Sequence, residues 1–267
     1  MGIVNNTPDS FSGDGVAGDA DLAVMRALSM FESGADLVDI GGESTRPGAK
    51  SVPERVEIER TVPIVESLSG RYPGRISIDT MRPKVAESAL FAGATVVNDV
   101  SGLRNRNMID IVAEHSAGVI IMHMKGNPRT MQLKPRYRDV VLEIMDFLSD
   151  RISAAEGAGV DPRLIMVDPG IGFGKNLEHN LEIIARLSEL KALGKPIVIG
   201  VSRKSFIGRI TGSPPDQRLE GSLAAAILAV REGADIVRVH DVPETVRALK
   251  VAHAIRLLTD RRGSTWD

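Results

Sequence analysis

"SGADLVDIGG" (residues 33–42) carries the architecture in a short space. A helical stretch ends on a glycine terminator, a short aliphatic run follows, and polar residues close it. The same order returns in "AGATVVNDVSG" (92–102), "SAGVIIMHM" (116–124) and "EGADIVRVHD" (232–241). Between these stretches lie helical patterns, among them 19–33, 83–92, 137–158, 177–191, 219–232 and 243–258. Strands alternating with helices build parallel βα units. Strands are predicted over 2–4, 37–40, 75–78, 95–97, 119–122, 164–167, 197–201 and 236–239, each followed by a helical segment. Eight such units without a linker-like interruption point to an α/β chain folded as a single-domain (β/α)8 TIM barrel, in preference to an open doubly wound sheet. The domain is placed over residues 1–258, and the polar "TDRRGSTWD" (259–267) is read as a frayed tail in which the lone Trp266 has no function.

Composition narrows the chemistry. The 267 residues are enough for one large core, and a formal net charge of −2 gives no general attraction to nucleic acid or anionic membrane. Any anion site must therefore be local. With no cysteine, disulfides, thiolate metal sites and thiol nucleophiles are excluded. "MGIVNNTPDS" has no basic segment leading into a long apolar one, and the apolar run 223–230 is too short to span a bilayer. The expectation is a soluble cytoplasmic protein.

Barrel enzymes build their sites at the C-terminal ends of the strands. Here those ends carry Asn5, Asp39 before "GGESTRPGA", Asp79 in "SIDT", Asn98 and Asp99, His123, Asp168 in "DPGIGFGK", Lys204 in "GVSRKSF", and Arg238 with His240 in "RVHDV". Arg238 and His240 are two apart on a strand end and share a face. A single polar strand end is a solvated terminus; eight converging on one mouth are not so easily dismissed. Asp79, Asp168 and Asn98 suit a flat heterocycle rich in N–H donors. Arg46, Lys204, Arg238 and His240 suit an anion such as phosphate. The predicted ligand has a neutral ring and an anionic tail, with Gly172 among the glycines that allow close approach. "GIGFG" lacks the spacing and acidic partner of a dinucleotide fingerprint.

Taken in order, "MGIVNNTPDSFS", "DIGGESTRPGA", "SIDT", "VNDVSG", "MHMKGNPRTMQ", "DPGIGFGK", "GVSRKSFIG" and "RVHDV" resemble the dihydropteroate synthase family across residues 1–258. The resemblance implies a TIM barrel that joins 6-hydroxymethyl-7,8-dihydropterin diphosphate to p-aminobenzoate, releasing pyrophosphate, in folate biosynthesis. It implies that Asp79, Asn98, Asp168 and Lys204 form the pterin pocket and that Asn5 is a Mg2+ ligand. It also implies that Thr45, Arg46, Arg238 and His240 hold the diphosphate, and that Phe11, Phe173 and Ser205 surround p-aminobenzoate, with Gly172 in the substrate-binding set. Asp79, Lys204, Arg238 and His240 are then the catalytic group. The family further implies small-molecule substrates, a site that is the sulfonamide target, and a homodimer. The small-residue face of "GSLAAAILAV" (221–230) is one candidate dimer surface, and burial against the barrel explains it equally well. Two features depart from the pattern: Asn6 stands where the family has an apolar residue, and Gly13 intervenes before Asp14 in the first loop.

Blander readings stand beside these. Asp39 and Asp99 can equally serve loop backbone. His115, His179 and His253 fall in helical stretches, and five histidines without a spaced cluster argue against zinc. Lys134, Arg136 and Arg138 read as a solvated helix entry. The rival activity is a pterin-dependent methyltransferase of similar barrel fold, which shares the pterin floor but has no use for cations around a diphosphate. A catalytically silent barrel with a binding role is the rival from another class.

Overall fold

The computed structural model describes residues 1–7, 19–44, 51–128 and 130–263. Eight strands alternate with helices in the order β1 (Gly2–Asn5), α1 (Ala20–Glu32), β2 (Val38–Gly41), α2 (Glu54–Ser69), β3 (Ile76–Asp79), α3 (Pro83–Phe91), β4 (Val96–Asp99), α4 (Arg106–Glu114) and β5 (Gly118–Met122). There follow α5 (Val140–Gly157), β6 (Ile165–Asp168), α6 (Leu177–Ala185), β7 (Val198–Ile199), α7 (Ser205–Thr211), α8 (Leu219–Arg231), β8 (Ile236–Val237) and α9 (Val242–Gly263). Strands β1 to β6 pair in parallel in sequence order, as do β7 and β8. The two seams close through single bridges. Val167 N–H donates to the Pro196 carbonyl at 3.0 Å, and Ile3 N–H to the Val239 carbonyl at 2.9 Å. The first and last strands thus meet, and the sheet is a closed barrel.

The repeated stretch has a common physical basis. Gly34, Gly93 and Gly233 take φ of 98°, 110° and 105°, and Ser116 takes the same place in the third copy at φ 48°. At each, the next residue's N–H reaches back to a carbonyl five positions earlier, as Ala35 does to Met30 and Ala234 to Ala229, both at 2.9 Å. This is the Schellman closure, which turns the chain from helix into strand.

Alternation then sorts the strand residues. Val38, Ile40, Ile76, Ile78, Val97, Val119, Ile121, Ile165 and Val167 face outward and join the helices in the main core. The residues between them face the barrel axis. Met1, Ile120 and Val198, with Leu37, Val96, Met166 and Ile236 against them, form a separate apolar cluster in the lower interior. Above it the inward positions become polar, and that change of character makes the site.

Several boundaries differ from the sequence reading. Asn5, Gly41, Asp79, Asp99 and Asp168 are the last residues of their strands, still paired to neighbours, rather than the first residues of loops. Helix α6 stops at Ala185, and a 3-10 segment over Leu187–Leu193 completes the connection to a left-handed Gly194 at φ 65°. Helix α9 continues to Gly263, past the boundary placed at 258. Ala225, Ala226 and Ala229 of α8 are buried in the main core, so the small-residue face packs against the barrel. No described helix is long and apolar enough to cross a membrane.

Candidate active site

Register sets the first row of the site. Asn5, Gly41, Asp79 and Asn98 are successive lateral partners across β1 to β4. Gly41 keeps this row open, because a Cβ there would stand 3.5 Å from Asn5 Oδ1 and 3.6 Å from Asp79 Cβ. Arg238 enters from the far end of the chain. Its Nε donates to Asp39 Oδ2 at 2.6 Å and its NH2 group to Asp79 Oδ2 at 2.7 Å. Asn98 Nδ2 donates to the same Asp39 oxygen at 2.9 Å. One guanidinium and one amide therefore lace β2, β3, β4 and β8 across the barrel. Asp79 Oδ1 is buried without a hydrogen-bond partner among the described residues.

Charges held this deep titrate unusually. Burial pushes the Asp79 carboxyl up to about 7, with Arg238 working in the opposite direction. Asp168 is raised by burial too, opposed by the Gly170 N–H at 2.6 Å and by the Lys204 charge. For Arg238, burial disfavours the charge, yet Asp39 and Asp79 outweigh it and hold its pKa above the ordinary value. The sequence leaves a purely structural role open for Asp39; in the fold it is fully buried and joins two residues of the predicted pocket. Asp99, with its companion reading, serves the loop. It accepts from Ser101 N–H at 2.8 Å and Leu103 N–H at 2.9 Å, stabilising Leu103 at φ 55°.

The loop after β6 is clamped on every side. Gly172 N–H donates to Asn180 Oδ1 at 2.7 Å, Gln132 Nε2 donates to the Gly172 carbonyl at 2.5 Å, and the Tyr137 hydroxyl to the Gly174 carbonyl at 2.8 Å. Gly170 and Gly174 must be glycine, because Cβ atoms would lie 2.0 Å and 2.7 Å from the His123 and Lys125 carbonyl oxygens. Lys175 is buried beneath, with Nζ 2.9 Å from His123 Nδ1 and donating to the Phe173 carbonyl at 3.0 Å. Burial pushes the Lys175 ammonium well below its ordinary pKa, and burial together with Lys175 pushes His123 down to about 2. In the sequence His123 is one polar strand end among eight and Lys175 closes a glycine-rich motif, with nothing to show that they meet. On this loop Phe173 lies under Lys204, whose Nζ is 4.5 Å from the ring centroid.

The loops after β7 and β8 are tied together. Arg203 donates to both oxygens of Asp241, at 3.0 Å and 2.5 Å. Ser202 Oγ accepts the His240 N–H at 3.3 Å and lies 3.0 Å from His240 Nδ1. Arg203 sits at φ 55°, a strained conformation for an arginine. Ser205 begins α7 directly after Lys204. On the opposite rim, Arg82 reaches Glu43 at 2.7 Å, Glu57 at 3.0 Å and Ser51 at 2.9 Å, while Thr80 donates to Glu57 at 2.6 Å. These groups line a cavity of about 250 Å³ that extends to Asp79. Asn5, Asp79, Asn98, Asp168, Gly172, Phe173, Lys204, Arg238 and His240 all fall at strand ends or on the loops that follow, and Ser205 opens α7. Phe11, Thr45 and Arg46 lie outside the described residues.

A closed barrel thus brings buried carboxylates, an amide and cations to one mouth. Residues 1–240 match the family model for pterin binding enzymes, and the chain is a member of that class. The chain is 44% identical over 254 residues to the dihydropteroate synthase of Escherichia coli K12, covering 95% of this chain and 90% of that one. A crystal structure of the Yersinia pestis dihydropteroate synthase in a sulfonamide drug complex superposes with TM-score 0.93 at 44% identity, covering 96% and 93% of the two chains. The Xanthomonas albilineans dihydropteroate synthase in complex with 7,8-dihydropteroate superposes with TM-score 0.85 at 44% identity, covering 96% and 92%. The chain belongs to the dihydropteroate synthase family and is a transferase. That sets aside the methyltransferase reading, which shares only the wider class.

Proposed function

We propose that the barrel mouth condenses 6-hydroxymethyl-7,8-dihydropterin diphosphate with p-aminobenzoate, giving 7,8-dihydropteroate and pyrophosphate. The observation that carries this is Asp79: one oxygen is held by Arg238, and the other is buried with no partner among the described residues. A pterin edge supplies the N–H donors such an oxygen lacks. Asn98 and Asp168 extend the acceptor floor, and Lys204 over Phe173 closes the far side.

In this reading the C–O bond between pterin methylene and diphosphate breaks, and its electron pair leaves with pyrophosphate. The carboxylate of Asp79 stabilises the cation left on the pterin. Arg238 and His240, with Thr45 and Arg46, hold the departing anion. The arylamine nitrogen of p-aminobenzoate then forms the new C–N bond and loses a proton to water. Phe173 and Ser205 flank the arylamine, Ser205 as the first residue of α7.

Mg2+ fits the donor set. Asn5 offers one neutral oxygen beside Asp79, and no group of three or more acidic or histidine side chains among the described residues forms an all-protein cage. An ion held mainly by phosphate oxygens and water suits that arrangement. Bound there, it would neutralise leaving-group charge. The protein is further proposed to act in the cytoplasm as a homodimer. Exposed Ile210, Leu228, Val251 and Ile255 on α7, α8 and α9 support an association surface, which sedimentation would test. The decisive assay couples pyrophosphate release to a dye and adds each substrate alone and both together. Release that depends on both, and on Mg2+, supports the reading. Release without p-aminobenzoate, or none with both, rejects it.

A further inference from the structure

We infer that Asp39 is a positioning residue for the pterin: it fixes which end of the Asn98 amide faces the ring, and so makes the pocket floor a surface of acceptors. This rests on the proposed reading of Asn98 as a ring contact.

Asp39 lies two residues before Gly41 on an inward position of β2, and Gly41 is the lateral partner of Asp79. Two residues along a strand is about 6–7 Å, so Asp39 sits beneath the layer that meets the ring. It is fully buried, and its Oδ2 receives both Arg238 Nε at 2.6 Å and Asn98 Nδ2 at 2.9 Å. An asparagine amide has nearly the same shape in its two orientations, and only its hydrogen bonds choose between them. A carboxylate paired with a guanidinium accepts and does not donate. Asp39 therefore selects the NH2 end of Asn98 and leaves Oδ1 for the ligand. The neighbouring Asp79 Oδ1 is likewise an acceptor without a partner among the described residues. A reversed Asn98 would set N–H groups against the N–H groups of the ring, in a place water cannot rescue.

The alternative is that Asp39 only balances the charge of Arg238. The two differ in coupling. Pterin itself, the ring without side chain or phosphate, is titrated by calorimetry into the parent, Asn98→Ala, Asp39→Ala, Asp39→Asn and the double variant Asp39→Ala/Asn98→Ala. Asn98→Ala should weaken binding by about 10-fold or more, the scale of one buried hydrogen bond to a ligand. Asp39→Ala should weaken it comparably, and the double variant should fall well short of the product of the two losses. Asp39→Asn keeps an acceptor oxygen for Asn98 and should stay within about 3-fold of the parent. Losses that multiply, or an Asp39→Ala protein that binds pterin like the parent, overturn the inference. No loss in Asn98→Ala overturns instead the reading of Asn98 on which it rests. Should Asp39→Ala not fold, neutron diffraction from the pterin-bound parent answers the same question. Deuterium on the Asn98 branch facing Asp39 supports the assignment, and deuterium on the branch facing the ring overturns it.

Discussion

Met1, Ile120, Val198 and their apolar neighbours fill the lower barrel, while Asp39, Asp79, Asn98 and Arg238 occupy the inward positions above. Both sets come from the same alternation on the same strands. The lower set gains free energy with each apolar surface it withdraws from water. The upper set withdraws charges from water, a loss only partly returned by Arg238 meeting two carboxylates. The barrel thus stabilises itself at one end and places strong, dry charges at the other.

The largest expected effect falls on the lower set. Ile120 is fully buried, and Ile120→Ala should cost about 2–5 kcal/mol in urea unfolding while KM for both substrates stays near the parent value. A stable variant with altered KM would mean the two layers are not separable. Next comes Asp79→Ala. Its kcat should fall roughly 30- to 1000-fold, corresponding to about 2–4 kcal/mol of transition-state stabilisation, with less lost in unfolding than for Ile120→Ala. An alanine variant within a few-fold of the parent would remove Asp79 from the chemistry.

Arg238→Gln tests both halves of the upper layer together. Because the guanidinium holds Asp39 and Asp79 as well as facing the mouth, pterin diphosphate affinity should drop about 30-fold, and pterin itself should lose several-fold too. Titration calorimetry with both ligands distinguishes this from a residue that serves the anion alone. Lys204→Met keeps the stem over Phe173 and removes the charge, so pterin affinity should fall by roughly 10-fold. Unchanged binding would move Lys204 out of the ring pocket.

A last comparison lies in the pH dependence of stability. Burial raises the Asp79 carboxyl from 3.8 to about 7 in the folded protein. Between those values the folded state holds a proton that the unfolded chain has released. The contribution of Asp79 is therefore fully present below about pH 4 and lost as pH rises through about 7. Asp79→Asn should abolish that decline, so the variant gains on the parent between about pH 4 and pH 7 in thermal melts. A constant difference across that window would contradict it. In the free enzyme, kcat/KM should rise through about pH 7 as Asp79 ionises.

What the sequence made legible follows the same division. The period-2 alternation and the recurring glycine terminators mark strands and their faces locally, so barrel topology and the row of polar strand ends can be read without a structure. Pairings across the barrel cannot. Asp39 in "VDIG" looks like any mid-strand aspartate until closure brings it to Arg238, 199 positions away. Lys175 and His123, 52 apart, and the Arg82 cluster with Glu43 and Glu57 are hidden for the same reason. Boundary shifts such as Asp79 and Asp168 arise because a polar residue can still complete a ladder at its last rung.

Arg238 directly follows the last strand, and the two carboxylates it joins belong to the second and third. During synthesis the chain exposes those carboxylates long before their partner leaves the ribosome. A nascent chain lacking β8 would hold two acidic groups with no counter-charge and an open seam beside β1, so the pocket comes into being only once β8 and Arg238 have joined the barrel. Binding competence therefore reports closure of the barrel, and a pterin column would retain closed molecules while letting chains terminated before Arg238 pass.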